Sequence, residues 1–152
     1  MPVGGAKGVS PVVSIILGST NELPFTLLDS DEAGKRYQAS LRQGLYHSSK
    51  EKILEIDTFT GKIGSEIEDL IPPELLINSF NQIFRPEDDF SKEDLDLSEP
   101  ITPQIEKFAN DQGIHLKVGW KVDISKKVKQ KFKGMIECEM EDKWVQILDS
   151  FQ

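Results

Sequence analysis

Val9, Val12, Val13, Ile16 and Leu17 recur at three- and four-residue spacing, which predicts a helix with one buried face over residues 7–18. Before it, "MPV" reads as the tail of a strand and "GGAKG" as a turn, with Gly4 and Gly5 as turn residues. After a "STNELP" loop comes "FTLL", an unbroken apolar run of the kind found in a buried parallel strand. Residues 32–43 read as a second helix, with Tyr37 and Leu41 inward and Gly44 ending it. "EKILEID", residues 51–57, reads as another short strand. Strands alternating with helices in this order predict an α/β fold with a parallel sheet.

The pattern then changes. "TFTGKIGSEIEDLIPPELL" reads as a loop running into a short helical turn, with Pro72 and Pro73 opening the next helix. Leu76, Phe80, Ile83 and Phe84 form the inner face of that helix. Residues 85–99, acidic and flanked by Pro86 and Pro100, read as a solvated loop. Ile101, Ile105, Phe108 and Ala109 mark a third helix ended by Gly113, residues 120–133 a fourth, and Met140, Trp144, Ile147, Leu148 and Phe151 a last one. The expected organisation is an α/β core over 1–84, an acidic loop over 85–100 and a helical annex over 101–152 packed on the same domain. At their helical spacing, Trp144 and Phe151 are core residues rather than platforms for a stacked base.

Composition narrows the function classes. The 152 residues suffice for one domain with a real core. No apolar run approaches the roughly 20 residues that span a bilayer, so no membrane partner is expected. The start lacks the charged and apolar regions of a signal peptide. One cysteine, Cys138, excludes an internal disulfide and suits a reducing cytoplasm. With two histidines besides, His47 and His115, both in expected surface loops, a Cys/His zinc site is nearly excluded. The net charge of −8 argues against nucleic-acid binding by the whole surface. Residues 117–133, however, hold seven lysines against one aspartate, a local strip that suits a phosphate backbone.

The candidate chemistry lies in "FTLLDSDEAGKR", residues 25–36. Asp29 falls at the carboxyl end of a parallel strand, where open α/β sheets bind ligands. Asp31 follows two residues on. Paired carboxylates repel each other, and a hard cation such as Mg²⁺ or Mn²⁺ relieves that. Mg²⁺ takes oxygen ligands, typically one or two carboxylates plus substrate phosphates, and such a site suits phosphoryl chemistry. The alternative is local: Asp31 is also well placed to be the N-cap of helix 32–43.

The longer string "LLDSDEAGKR" closely resembles the second metal motif of TOPRIM domains, the catalytic modules of topoisomerases, primases and related nucleases. Downstream, "GSEIEDLIPPELL" is similar to a string that follows this motif in nucleases of the OLD (overcoming lysogenization defect) family, with the core Ile67, Glu68, Asp69 and Leu70. "PVGGAKGV" resembles the second-strand turn of the same family. The resemblance covers residues 1 to about 76, and beyond that "WKVDISKKVK" and a closing Trp-containing helix. It implies a truncated TOPRIM-like Rossmannoid sheet with a helical annex. It also implies metal ligation by Asp29, Asp31 and Glu68, with Asp69 a weaker candidate, and a role for Glu68 in orienting or catalysis. The alternative for Glu68 and Asp69 is that they decorate a first helical turn, where acids favour the dipole.

The same family uses a lysine near the C-terminus, and the helix pattern chooses one independently. Taking Ile124 as the origin at about 100° per residue, Val128, Phe132 and Met135 fall within about 80° of it, and Lys121 falls at about 60°, inside the apolar stripe. Lys126, Lys129 and Lys133 fall at about 140° to 200°, on the opposite side. Lys121 therefore either snorkels from a helix end or reaches a buried anion. The family comparison lands on it too, and implies contact with a scissile phosphate.

Two features depart from the family. A TOPRIM domain starts with a strand ending in glutamate and glycine, and no such motif precedes Asp29. There is no Walker A string either. The slot beside "FTLLD" is expected to be filled by a rearranged strand, a partner chain or a second copy, because an unpaired edge exposes backbone and apolar surface. Two functions follow as expectations. One is the C-terminal nuclease portion of an OLD-like endonuclease, hydrolysing DNA with Mg²⁺ or Mn²⁺ once completed by the missing glutamate strand. The other is a non-catalytic degenerate TOPRIM fragment used for assembly. A Mg²⁺-dependent phosphatase with Asp29 as nucleophile fits less well, since haloacid-dehalogenase-like enzymes place Thr or Val where this chain has Ala33.

Overall fold

The structure is a computed structural model that describes residues 8–132 and 142–151. It is mixed α/β and mostly helical, with one two-stranded parallel sheet among the described residues. The expected strand tail at residues 1–3, Gly4, Gly5, Lys133, Met135, Cys138 and Met140 lie outside the described residues.

Helix α1 (Val9–Thr20) buries Val9 and Val13 and ends at Asn21, whose left-handed φ of 58° lets its N–H donate to the Leu17 carbonyl. Strand β1 (Thr26–Leu28) follows, and then helix α2 (Glu32–Gln43). Asp31 caps α2, its carboxylate accepting the Gly34 N–H at 2.6 Å. Gly34 is required here for space: a Cβ would lie 1.9 Å from the Asp29 carbonyl oxygen. The glycine lets the start of α2 press onto the end of β1. Strand β2 (Ile53–Glu55) pairs in parallel with β1, Thr26 opposite Ile53 and Leu28 opposite Glu55.

The strand expected over 51–57 is shorter at both ends. Lys50–Lys52 form a 3-10 turn, and Ile56–Thr60 form the short helix α3. Ile56 turns into the core, only 1% exposed. The Asp57 N–H, one of the free donors at the start of α3, donates to the Ser30 hydroxyl at 2.9 Å. That tertiary cap ends the strand.

Helix α4 (Pro73–Phe84) opens at the proline pair, and α5 (Ile101–Asp111) and α6 (Trp120–Phe132) share its core. The acidic segment 85–99 is solvated along most of its length but pinned at Phe90. This side chain stacks at 4.5 Å from Phe108 and 5.4 Å from Phe80, while its backbone exchanges two hydrogen bonds with the Asn81 amide. Helix α7 (Asp142–Asp149) returns to the α/β side. Ile147 is buried against Ile56 and Leu70, and the Trp144 indole N–H donates to the Leu70 carbonyl at 2.8 Å. Leu148, expected on the inner face of this last helix, is half exposed, and Phe151 is 39% exposed with its ring at the edge of Phe25. Among the described residues no helix is long and apolar enough to cross a membrane.

Candidate metal centre

Three segments meet at the carboxyl end of β1. The first is the chain 29–31, between the end of β1 and the start of α2. Asp29 accepts the Ile67 N–H at 3.1 Å, and Ser30 turns inward, its N–H donating to the Ser65 carbonyl at 2.8 Å. The second is the 3-10 turn Ile67–Leu70, closed by a reciprocal capping box between Glu66 and Asp69. The third is the first turn of α6, from which Lys121 reaches across 55 residues of sequence to pair with the Glu66 carboxylate.

The sequence-derived candidates take different places in this arrangement. Asp29, Glu68 and Lys121 are close enough for their charges to act on one another. Asp31 joins them electrostatically, repelling Asp29, while one of its oxygens caps α2. Asp31 is therefore the N-cap of α2 and at the same time a neighbour of the acidic cluster. Asp69 is turned away. Its side chain is fully buried, with one oxygen accepting from Lys62 at 3.3 Å and from the Ile101 N–H at 3.0 Å, and the other from the Glu66 N–H at 3.1 Å. Asp69 thus ties the turn to the start of α5. Lys121 lies on the inward side of α6, 5.8 Å from the Trp120 ring centre, whereas Lys126 and Lys129 are exposed. His47 and His115 are exposed.

Glu66 was not among the candidates, and it is the residue that holds Lys121. It stands two positions before Glu68, an alternation of acids that the Ile-Glu-Asp-Leu core obscures. Ser30 and Ser65 carry no signature in the sequence until their partners are in place.

The cluster is short of positive charge. Burial holds Asp29 above the usual aspartate range, helped by the neighbouring Asp31 carboxylate and opposed by the Ile67 N–H and Lys121. Asp29 is an exposed residue, and its carboxylate meets the cluster through the Ile67 N–H. Burial likewise raises Glu66 and Glu68, with Asp29 repelling both and Lys121 opposing the rise. Burial works against the charge of Lys121, but Glu66 and Glu68 outweigh it and carry the ammonium above its ordinary value. One ammonium balances four carboxylates, and the residual repulsion is what a cation would relieve.

The donor set is entirely carboxylate, which suits a hard cation and not a soft one. Among the described residues, no three His, Cys, Asp or Glu side chains converge closely enough to hold a metal ion together. Mg²⁺ needs less than that, since one or two carboxylates with waters and a phosphate complete its octahedron. Asp29 and Glu68 are carboxylates of the hard-oxygen type that such a site uses, and Asp31 stands beside Asp29. No family model, curated protein or solved structure matches the chain.

Proposed function

We propose that this chain is the nuclease portion of an OLD-like endonuclease: a TOPRIM-like core with a helical annex that, in the complete protein, hydrolyses DNA phosphodiester bonds with Mg²⁺ or Mn²⁺. One observation carries the reading. Three segments distant in sequence bring four carboxylates and a single ammonium to the carboxyl end of a parallel strand, where α/β sheets bind ligands. In this reading Asp29, Asp31 and Glu68 supply the carboxylates for the cation, one or two at a time, with waters and a phosphate completing its shell. When bound, it stabilises charge on the phosphate and lowers the pKa of an attacking water. Glu66 keeps the Lys121 ammonium at the centre, where it contacts the scissile phosphate and stabilises the charge that develops there. The exposed Lys126 and Lys129 on the outer side of α6 receive the rest of the phosphate backbone. Asp69 shapes the turn rather than ligating.

A second reading, a non-catalytic assembly module, is favoured by the edge of the sheet. Among the described residues β1 carries a strand on one side only. Beside it α1 and β1 line a cavity of about 250 Å³ whose walls include Val12, Ile16, Phe25, Leu27 and Phe151. In that reading a second copy or a partner chain supplies a strand.

Nicking of supercoiled plasmid in Mn²⁺ separates the two. The nuclease reading predicts metal-dependent nicking by the complete protein, which Asp29→Ala/Asp31→Ala abolishes. A complete protein that leaves DNA intact, with this chain sedimenting as a concentration-dependent dimer, supports the module.

A further inference from the structure

The carboxylates of the proposed centre come from two segments that share no sheet ladder, residues 29–31 after β1 and residues 65–69 before α4. Their separation is set by something other than regular secondary structure. At the point where the loops touch, two serines are almost wholly buried, Ser30 at 1% and Ser65 at 0% exposure. The Ser30 N–H donates to the Ser65 carbonyl at 2.8 Å. The Ser30 hydroxyl accepts the Asp57 N–H at 2.9 Å, anchoring the loop to the start of α3. The Ser65 hydroxyl lies 2.7 Å from the Thr60 hydroxyl at the other end of α3, and the Ser65 N–H donates to the Lys62 carbonyl at 3.2 Å. Both loops are thereby fastened to the same five-residue helix and to each other.

We propose that Ser30 and Ser65 form a latch that fixes the Asp29 carboxylate relative to Glu66 and Glu68, with Ser30 a positioning residue of the centre. The inference rests on reading the acidic cluster as a cation site. Extended chain sends alternate side chains to opposite sides. Ser30 is buried while Asp29 is exposed and Asp31 half-buried, the alternation that turns the two carboxylates outward together. Serine suits the position because it is small enough to be buried there and still offers an acceptor to a helix N–H that has no intrahelical partner. The contact nearest the latch that reports on its setting is the hydrogen bond from the Ile67 N–H to Asp29. It bridges the same two loops, one residue from Ser30 and two from Ser65.

The test compares the full chain with Ser30→Ala by two readouts, the amide proton shift of Ile67 and the affinity for Mn²⁺ by calorimetry. Tyr46→Phe is the control. It removes hydrogen bonds to Thr26 and the Pro24 carbonyl at the opposite end of β1, and should lower the melting temperature while leaving both readouts in place. Ser30→Ala should move the Ile67 amide towards its unbonded position and weaken Mn²⁺ binding about tenfold, the low end for loss of a group that orients a ligand. If Ser30→Ala changes only the melting temperature, as the control does, the latch is overturned. If the parent chain binds no Mn²⁺ yet Ser30→Ala still shifts Ile67, the latch stands and the cation reading falls. Should Ser30→Ala fail to fold, Ser65→Ala keeps the carbonyl contact, loosens the tie to Thr60 and must move Ile67 in the same direction; an unmoved Ile67 overturns the latch.

Discussion

The α/β half and the helical half of this chain are held together by different physics. Helices α4, α5 and α6 close on an aromatic cluster in which Phe80 meets Phe84, Phe90 and Phe108 at centroid distances of 4.9 to 5.9 Å. Around it lie fully buried aliphatic residues such as Leu76 and Ile105. The α/β half has a smaller apolar core and a sheet of two three-residue strands. There the joints are polar: Ser10 to Tyr37, Thr26 to Tyr46, Ser30 to Asp57. Apolar packing tolerates approximate geometry, whereas hydrogen bonds fix direction and distance. The carboxylates sit on the half that fixes geometry. The ammonium arrives from the half that supplies bulk stability.

Breaking the helical core should have the largest effect. Phe80→Ala removes a fully buried ring and should cost about 3–5 kcal/mol in chemical denaturation. Because α6 packs on α4, the same substitution should also release Lys121 from Glu66. A loss of less than about 1 kcal/mol, below the range for a buried aromatic, would mean that the cluster is not the main core.

Lys121→Met cuts the link between the halves. It leaves Glu66 and Glu68 without their counter-ion in a crowded site. Breaking a fully buried pair costs about 3–5 kcal/mol; with the Lys121 side chain 31% exposed, a loss of about 2 kcal/mol is expected. Restoring stability by adding Glu66→Gln would confirm that the loss is electrostatic and not one of packing.

The smallest effect should come from pH. Asp29, Glu66 and Glu68 are all raised in the folded chain above ordinary values of 3.8 and 4.5. The folded state therefore holds protons more tightly than the unfolded state between those values and the raised ones. Stability from these groups is present below their ordinary values and lost as pH rises through the raised ones. Acidifying from neutral pH should thus raise the melting temperature before general acid denaturation sets in. The exposed Glu74, lowered chiefly by its backbone hydrogen bond, opposes this weakly. In Asp29→Asn/Glu68→Gln the gain on acidification should shrink.

Much of this was legible in the sequence wherever neighbours along the chain decide the outcome. Helix α2 runs between its aspartate cap and Gly44 as the pattern indicates, and the inward placement of Lys121 follows from helical periodicity alone. Contacts between distant segments were not legible. "EKILEID" has strand-forming residues throughout, yet Ile56 is drawn into the core and Ser30 caps Asp57, so the strand stops early. Asp69 looks like one more acid in a first turn until the Ile101 N–H, 32 residues on, occupies it. Glu66 acquires meaning only when Lys121 reaches it.

The most direct measurement is a calorimetric titration of Mn²⁺ into the full chain and into Asp29→Ala/Asp31→Ala. Saturable binding by the parent chain and none by the variant is expected. Equal heats from both proteins, or no binding by either at millimolar metal, would contradict the assignment of a cation to this junction.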